Sequence, residues 1–282
     1  MTPGLSYAFG AMLCFGVADL IYKRAAATGI KPVEFLKLQS WIFSPGVTLY
    51  ALATGTLDLQ PAALWGALGG LFLFVALYNF VQSLQGGAVS TNAPIFRLNF
   101  TITAALAIVV LGETLTLVKA LALVGALAAA WLLLAEPGAK PGQSSFASLG
   151  RVLFATLAMA FTNFFYKVGL LHGAVPETMM AAQAWVFFTL TTLVGFLREG
   201  RIRVPPGAWG YAAFAALAMF GAFTLLLHGL ARGPASVLVP VAQMSFVITA
   251  LFGAAIFRER LDLRKCAGLV AAAAALTLFA VS

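Results

Sequence analysis

The chain has 282 residues, 62% of them hydrophobic and only 9% charged, with a formal net charge of +8 and a mean hydropathy of +0.98. A soluble domain sits near half apolar and a quarter charged, so this balance excludes a water-soluble globular protein and points to one embedded in a bilayer. The two cysteines, Cys14 and Cys266, lie in apolar runs and exclude a disulfide framework or a cysteine-built metal site.

A helix needs about 20 apolar residues to cross the hydrocarbon. In chain order ten segments qualify: 5–27, 32–54, 61–84, 89–111 and 116–135, then 147–171, 176–198, 206–231, 235–257 and 262–281. The first has no charged n-region and no small-residue cleavage site before Asp19, so it reads as a retained span rather than a signal peptide. Ten spans leave no length for a soluble domain. The stretch with loop chemistry is 136–145, rich in Pro, Gly and Ser. The expected fold is an all-α integral membrane protein.

The second half repeats the first. At an offset of 144 residues Tyr22-Lys23 falls on Tyr166-Lys167, Pro32 on Pro176, Gln39 on Gln183 and Trp65-Gly66 on Trp209-Gly210. At an offset of 146, Gly87, Ser90, Pro94, Phe100, Glu113 and Lys119 meet Gly233, Ser236, Pro240, Phe246, Glu259 and Lys265. A repeat this long dictates architecture: a five-helix unit over 1–137, a linker over 138–146 and a second five-helix unit over 147–282. Five crossings per copy make the copies enter the membrane from opposite faces. Such a 5+5 inverted pair is the build of many secondary transporters, with a substrate site near the midplane between the copies.

Basic residues are read by side of the membrane. Alternating the loops puts Lys23, Arg24, Lys31, Lys37, Lys140, Arg151, Arg198, Arg201, Arg203, Arg258, Arg260, Arg264 and Lys265 on one side, against Lys119, Lys167 and Arg232 on the other. The positive-inside rule makes the richer side cytoplasmic and puts both termini outside. The net charge is therefore an orientation signal and not a nucleic-acid surface.

A charged side chain at mid-membrane costs roughly 2.5–3.5 kcal/mol on insertion scales and is a functional candidate by default. Asp19 in span 1 and Arg97 in span 4 stand out. Their repeat mates are Asn163 and Gln243, so acid and base give way to amides together, as expected of positions that face each other. The spacing predicts an Asp19–Arg97 pair and an analogous Asn163–Gln243 pair. Lys23 and Lys167 follow Asp19 and Asn163 by four residues, on the same helical faces. Asn79, Gln82 and Gln85 in span 3, with Asn92 and Asn99 in span 4, predict a polar cavity there, although such amides also serve as helix glue. Asp19, Lys23, Asn79, Asn92, Arg97, Asn163, Lys167 and Gln243 are the candidate binding or coupling residues. Pro94 and Pro240 remove a helical hydrogen bond at matched places and are candidate hinges. Glu113 and Glu259 are expected to cap the helices that follow them. Spans 5 and 10, with Gly125/Ala129 and Gly268/Ala272, read as a small-residue scaffold pair or a contact with a second protomer.

Gly112-Glu113-Thr114-Leu115 and Phe257-Arg258-Glu259-Arg260-Leu261-Asp262-Leu263, each leading into the last span of its half, are similar to a signature of the drug/metabolite transporter superfamily. Over its whole length the chain resembles the ten-span EamA-type members, and more distantly the small multidrug resistance proteins. The resemblance implies a membrane transporter, an exporter of a small metabolite or amino-acid-like solute, in a bacterial inner membrane. It also implies cytoplasmic termini, the reverse of the charge count. The small multidrug resistance relatives carry a proton-binding carboxylate two turns before a span-1 lysine. Phe15 and Met159 occupy those places here, so that proton site is missing. A channel or lipid-linked-substrate flippase of the same superfamily is the alternative, and a non-transporting receptor a more distant one. No metal-binding, nucleophile or ATP-binding motif occurs, so neither an enzyme nor a cofactor is expected. The expected partners are a small-molecule substrate, the lipid bilayer and a coupling ion, with the chain a monomer or homodimer.

Overall fold

The structure, a computed structural model, describes residues 2–58, 60–85, 89–135, 145–199, 207–257 and 262–282. The linker assigned to 138–146 falls largely outside them, as do Glu259 and the 201–203 basic loop.

The described residues form α1 (Leu5–Ala27), α2 (Pro32–Ala53), α3 (Leu64–Ser83, entered through a 3-10 turn at Pro61–Ala63), α4 (Val89–Arg97), α5 (Asn99–Leu111), α6 (Leu117–Leu134), α7 (Phe146–Leu171), α8 (Pro176–Glu199), α9 (Ala208–Leu230), α10 (Ala235–Gln243), α11 (Ser245–Phe257) and α12 (Leu263–Val281). Among the described residues nine spans are long and apolar enough to cross a membrane. The tenth expected span, α2, is long enough at 22 residues but carries a buried polar face of Glu34, Lys37, Gln39, Ser40 and Ser44. Lys37, counted above as a loop charge, is 1% exposed inside this helix. Pro32 and Pro176 start α2 and α8, where a missing N–H costs nothing.

Spans 4 and 9 are each broken in two. The interruptions fall at Leu98 and Met244, matched positions one turn beyond Pro94 and Pro240 rather than at the prolines themselves. Each proline sits inside its short helix and strips the donor from the turn behind it. The ladder then tightens: Leu98 N–H donates to Ile95 O, and Met244 N–H is shared between Pro240 O and Val241 O. It restarts from Leu98 O and Met244 O, which accept from Thr101 and Val247.

The main helix pairings cross between the halves. α1 lies on α9, α10 and α11, and its mate α7 lies on α3, α4 and α5; α2 packs on α8 and α9, α3 on α8, and α6 on α12. Gly66 and Gly70 let α3 and α8 touch backbone to backbone, since a Cβ at either would collide with the main chain of Met179 or Gln183. Spans 5 and 10 meet as one of the two expected ways: a Cβ on Gly125 would meet Ala275, and one on Gly268 would meet Leu132 and Leu133. Their outer faces, including Leu117, Leu121, Val124 and Val270, are exposed, as a lipid-facing surface requires. One cross-contact has no strong mate. α5 lies against α10, whereas the matching pair of α11 with α4 touches slightly at most among the described residues.

Thr2 Oγ1 donates to Ser282 O at 2.8 Å, which sets both chain ends on one side, called here the termini side. The opposite end, where α1, α3 and α8 end and α2, α4 and α9 start, is called the basic side.

Candidate functional site

Asp19 and Arg97 each lie eight residues from the basic-side end of their helix, roughly 12 Å deep at 1.5 Å per residue. They are level, and they meet: Arg97 Nη2 is 3.3 Å from Asp19 Oδ2. Two residues flanking the Met244 break complete the group. Arg97 Nη1 donates to Gln243 Oε1 at 3.2 Å and to Gln243 O at 3.4 Å, and Ser245 Oγ donates to Asp19 Oδ2 at 2.9 Å. Gln243 O is available because Val247 N–H bonds Met244 O instead. The Arg97 guanidinium also lies 5.8 Å from the Phe246 ring centroid. The Asp19 and Arg97 side chains remain 29% and 19% exposed, so the pair holds α1, α4, α10 and α11 together yet stays reachable.

The other expected pair is not formed. Gln243 is engaged by Arg97, and Asn163 Nδ2 donates back to Met159 O at 3.2 Å while its Oδ1 is buried without a partner. The matched lysines also part ways. Lys23 is exposed, whereas Lys167 is 9% exposed and donates to Leu230 O and Gly233 O, both at 2.8 Å, closing the C-terminal end of α9. Asn79 bonds its own helix at Val75 O. Asn92 donates to Ser83 O, Ser83 Oγ and Ser148 Oγ at 3.0–3.1 Å, tying α3, α4 and α7; it is helix glue.

Glu113 acts on a different helix from the one expected. The helix after it, α6, is capped by Thr116, whose Oγ1 accepts from Lys119 N–H. Glu113 instead accepts from Ala235 and Ser236 N–H at 2.7 and 2.8 Å, and so caps α10. A carboxylate there meets both the free donors and the positive end of the helix dipole. The place after Glu259 is taken likewise by Asp262, which accepts from Lys265 N–H and caps α12.

Tyr22, three residues beyond Asp19 on α1, lines a cavity that opens between α1, α2, α3, α8 and α9. Its apolar wall is Leu36, Phe43, Leu73, Leu77, Phe187, Met219 and Phe223, and its polar atoms come from Tyr22, Gln39, Ser40, Ser44 and Gln183. A second, smaller cavity shares Leu36, Leu77 and Phe187 with the first and continues past Val33, Val81 and Val194. Those residues lie at the start of α2 and the ends of α3 and α8, so the path runs toward the basic side. The choice of residues from spans 3 and 4 missed this cavity. The matched Gln39 and Gln183 were its available signal, and the halves now treat them differently: Tyr22 Oη donates to Gln39 Oε1 at 2.8 Å, while Tyr166 Oη and Gln183 Oε1 are buried without partners. Among the described residues no cluster of His, Cys, Asp or Glu could hold a metal ion.

An apolar helical bundle with two spans broken beside a polar group is the build of a multi-pass integral membrane protein. The EamA-like transporter family profile matches residues 2–135 and again 149–281, and the chain belongs to that family. A protein of known crystal structure superposes with a TM-score of 0.83 at 17% identity, covering 98% of this chain and 95% of that one. Two curated relatives, both named inner membrane-spanning protein YciB, come from Acidovorax sp. (strain JS42) and Acidovorax ebreus (strain TPSY). Each is 28% identical over 97 residues, 33% of this chain. The chain spans about half the length (52%) of these relatives.

Proposed function

We propose that the protein is a secondary carrier of a small organic solute in a bacterial inner membrane. It works by alternating access between two inverted five-helix repeats, with the central cavity as the solute site. The observation that carries this reading is the cavity that continues toward the basic side while the termini side is packed shut by Glu113 on α10, Lys167 on α9 and the α5–α10 contact. A carrier caught at one stage has this shape: one end reachable, the other sealed, and matched segments in unlike surroundings. Broken helices at the repeat interface are the usual place for polar solute groups to be held; Arg97, Gln243 and Ser245 stand at such breaks, with Asp19 of α1 against them. The positive-inside count supports a cytoplasmic basic side, which makes this conformer inward-facing, with both termini outside.

The test starts with a metabolite-wide thermal-shift screen of purified protein, since a ligand of the folded state raises its melting temperature. Counterflow of the ligand found is then measured in proteoliposomes. A carrier accumulates labelled solute against unlabelled solute. Flux without counterflow means a channel, and binding without flux a receptor. C-terminal fusions to alkaline phosphatase and green fluorescent protein test orientation: phosphatase activity without fluorescence is expected, and the reverse result puts the termini in the cytoplasm.

A further inference from the structure

Glu177 opens α8 and His228 closes α9 at the termini side, beyond the cavity. His228 Nε2 lies 3.3 Å from Glu177 Oε1, with the Glu177 side chain 9% exposed. The other ring nitrogen fixes the chemistry. His228 Nδ1 is 2.9 Å from Thr224 O, and a carbonyl oxygen only accepts, so Nδ1 carries a hydrogen. A neutral ring in that tautomer turns the Nε2 lone pair toward the carboxylate. Lone pair against carboxylate is repulsive, so the contact attracts only when one more proton lies on Nε2 or on Oε1.

We infer that Glu177 and His228 together form a proton-binding site, and that this proton is the coupling ion that holds the termini side closed. The inference rests on the carrier reading above. With the proton bound, α8 and α9 attract at this end. When it leaves, Nε2 and the carboxylate repel and the end loosens.

The pair stands between the cavity and the termini side. Phe223, five residues earlier on α9, lines the cavity. Thr178, next to Glu177, donates to Thr56 O and accepts from Asp58 N–H, both at 2.8 Å, tying α8 to the α2–α3 connection. The titratable and charged neighbours are few. Tyr7 of α1 stacks on the imidazole at 6.2 Å; Arg232 donates to His228 O at 2.7 Å and lies over the Tyr7 ring at 4.7 Å. Lys167 of α7 is bound to Leu230 O and Gly233 O just past His228, and Glu113 to the start of α10. The repeat mates of Glu177 and His228 are Val33 and Gln82, neither of them titratable. This pair therefore has no counterpart in the first half, and it occupies a different place from the carboxylate that the small multidrug resistance resemblance led one to seek.

The test uses full-length protein in lipid nanodiscs and needs no solute. With ¹⁵N-labelled histidine, and His172→Asn to assign the second ring, nuclear magnetic resonance should show His228 passing from the doubly protonated ring to the Nδ1–H tautomer as pH rises. Hydrogen exchange, corrected for its intrinsic pH dependence, should show the start of α8 and the end of α9 protected below this titration and opened above it, with the response lost in Glu177→Gln and His228→Gln. An Nε2–H tautomer, or protection that ignores pH in the unaltered protein, overturns the inference, as does a pH response that both variants retain. Failure of counterflow with these signatures intact overturns the carrier reading instead, and counterflow in a protein blind to pH overturns the proton.

Discussion

α4 and α10 hold matched places in the repeat and meet opposite surroundings. All nine residues of α10, Ala235–Gln243, are buried, its N-terminus is capped by Glu113, and α5 lies along it. α4 has Asn92 and Phe96 buried but leaves Arg97 partly exposed, and its matching contact with α11 is slight. Both contain proline and both end at an equivalent break, so local sequence does not account for the difference. What differs is the end of the molecule each starts from: α10 starts at the termini side under Glu113, α4 at the basic side. In the proposed cycle the two segments exchange these surroundings, and variants that affect one more than the other can break or sharpen that comparison.

The largest effect is expected where the two segments meet. Asp19→Asn leaves the Arg97 charge against α10 without its partner. Breaking a buried pair costs about 3–5 kcal/mol; partial exposure of both groups puts this one nearer 2–3 kcal/mol. Asp19→Asn combined with Arg97→Gln, which copies the mate residues, should recover most of that loss in unfolding measured in nanodiscs. A double variant no more stable than the worse single one would show that the charges act independently.

The lysines come next. Lys167→Met strips two buried carbonyls of their donor and should cost about 1–3 kcal/mol, more than Lys23→Met, whose side chain is exposed at the basic side. Equal losses would mean that the two ends are alike and the contrast is wrong. Glu113→Gln trades charged for neutral acceptance at the start of α10. It should cost about 1 kcal/mol and, by loosening the sealed end, raise hydrogen exchange over Ala235–Gln243. Unchanged exchange there would remove Glu113 from the seal. Pro240→Ala and Pro94→Ala should alter stability least, within about 1 kcal/mol, because a regained hydrogen bond is offset by lost preorganisation. Their signature is kinetic: slower solute exchange at unchanged affinity. A normal exchange rate in both variants would leave the prolines as static kinks.

Much of the architecture was legible because the bilayer makes length and hydropathy decisive, and because each half annotates the other. The joint change from Asp19 and Arg97 to Asn163 and Gln243 disclosed a contact across 78 residues of chain. The place of the helix breaks was misjudged by one turn. A proline marks where a donor is missing, but where the ladder restarts depends on tertiary partners such as Arg97 on Gln243 O. The cavity was hidden for another reason. In a span that is apolar nearly all round, periodicity does not say which face turns inward, so Gln39 and Gln183 registered only as matched positions of the repeat. Glu113 was read against the next helix because capping is usually local; its partners Ala235 and Ser236 come 122 and 123 residues later.

The crossing of every major helix pairing from one half to the other has a consequence for how the chain is made. A ribosome that has released only the first 137 residues has delivered α1, α2, α3 and α6 to the membrane without the α9, α8, α7 and α12 surfaces that bury them. The first half therefore has no finished core of its own, and assembly waits on long-range contacts, which form slowly. Because α6 pairs with α12, a contact begun by the fifth span waits for a helix made much later. Deleting α12 should send the chain to membrane quality control even though the cavity and the charged quartet lie on helices that precede it.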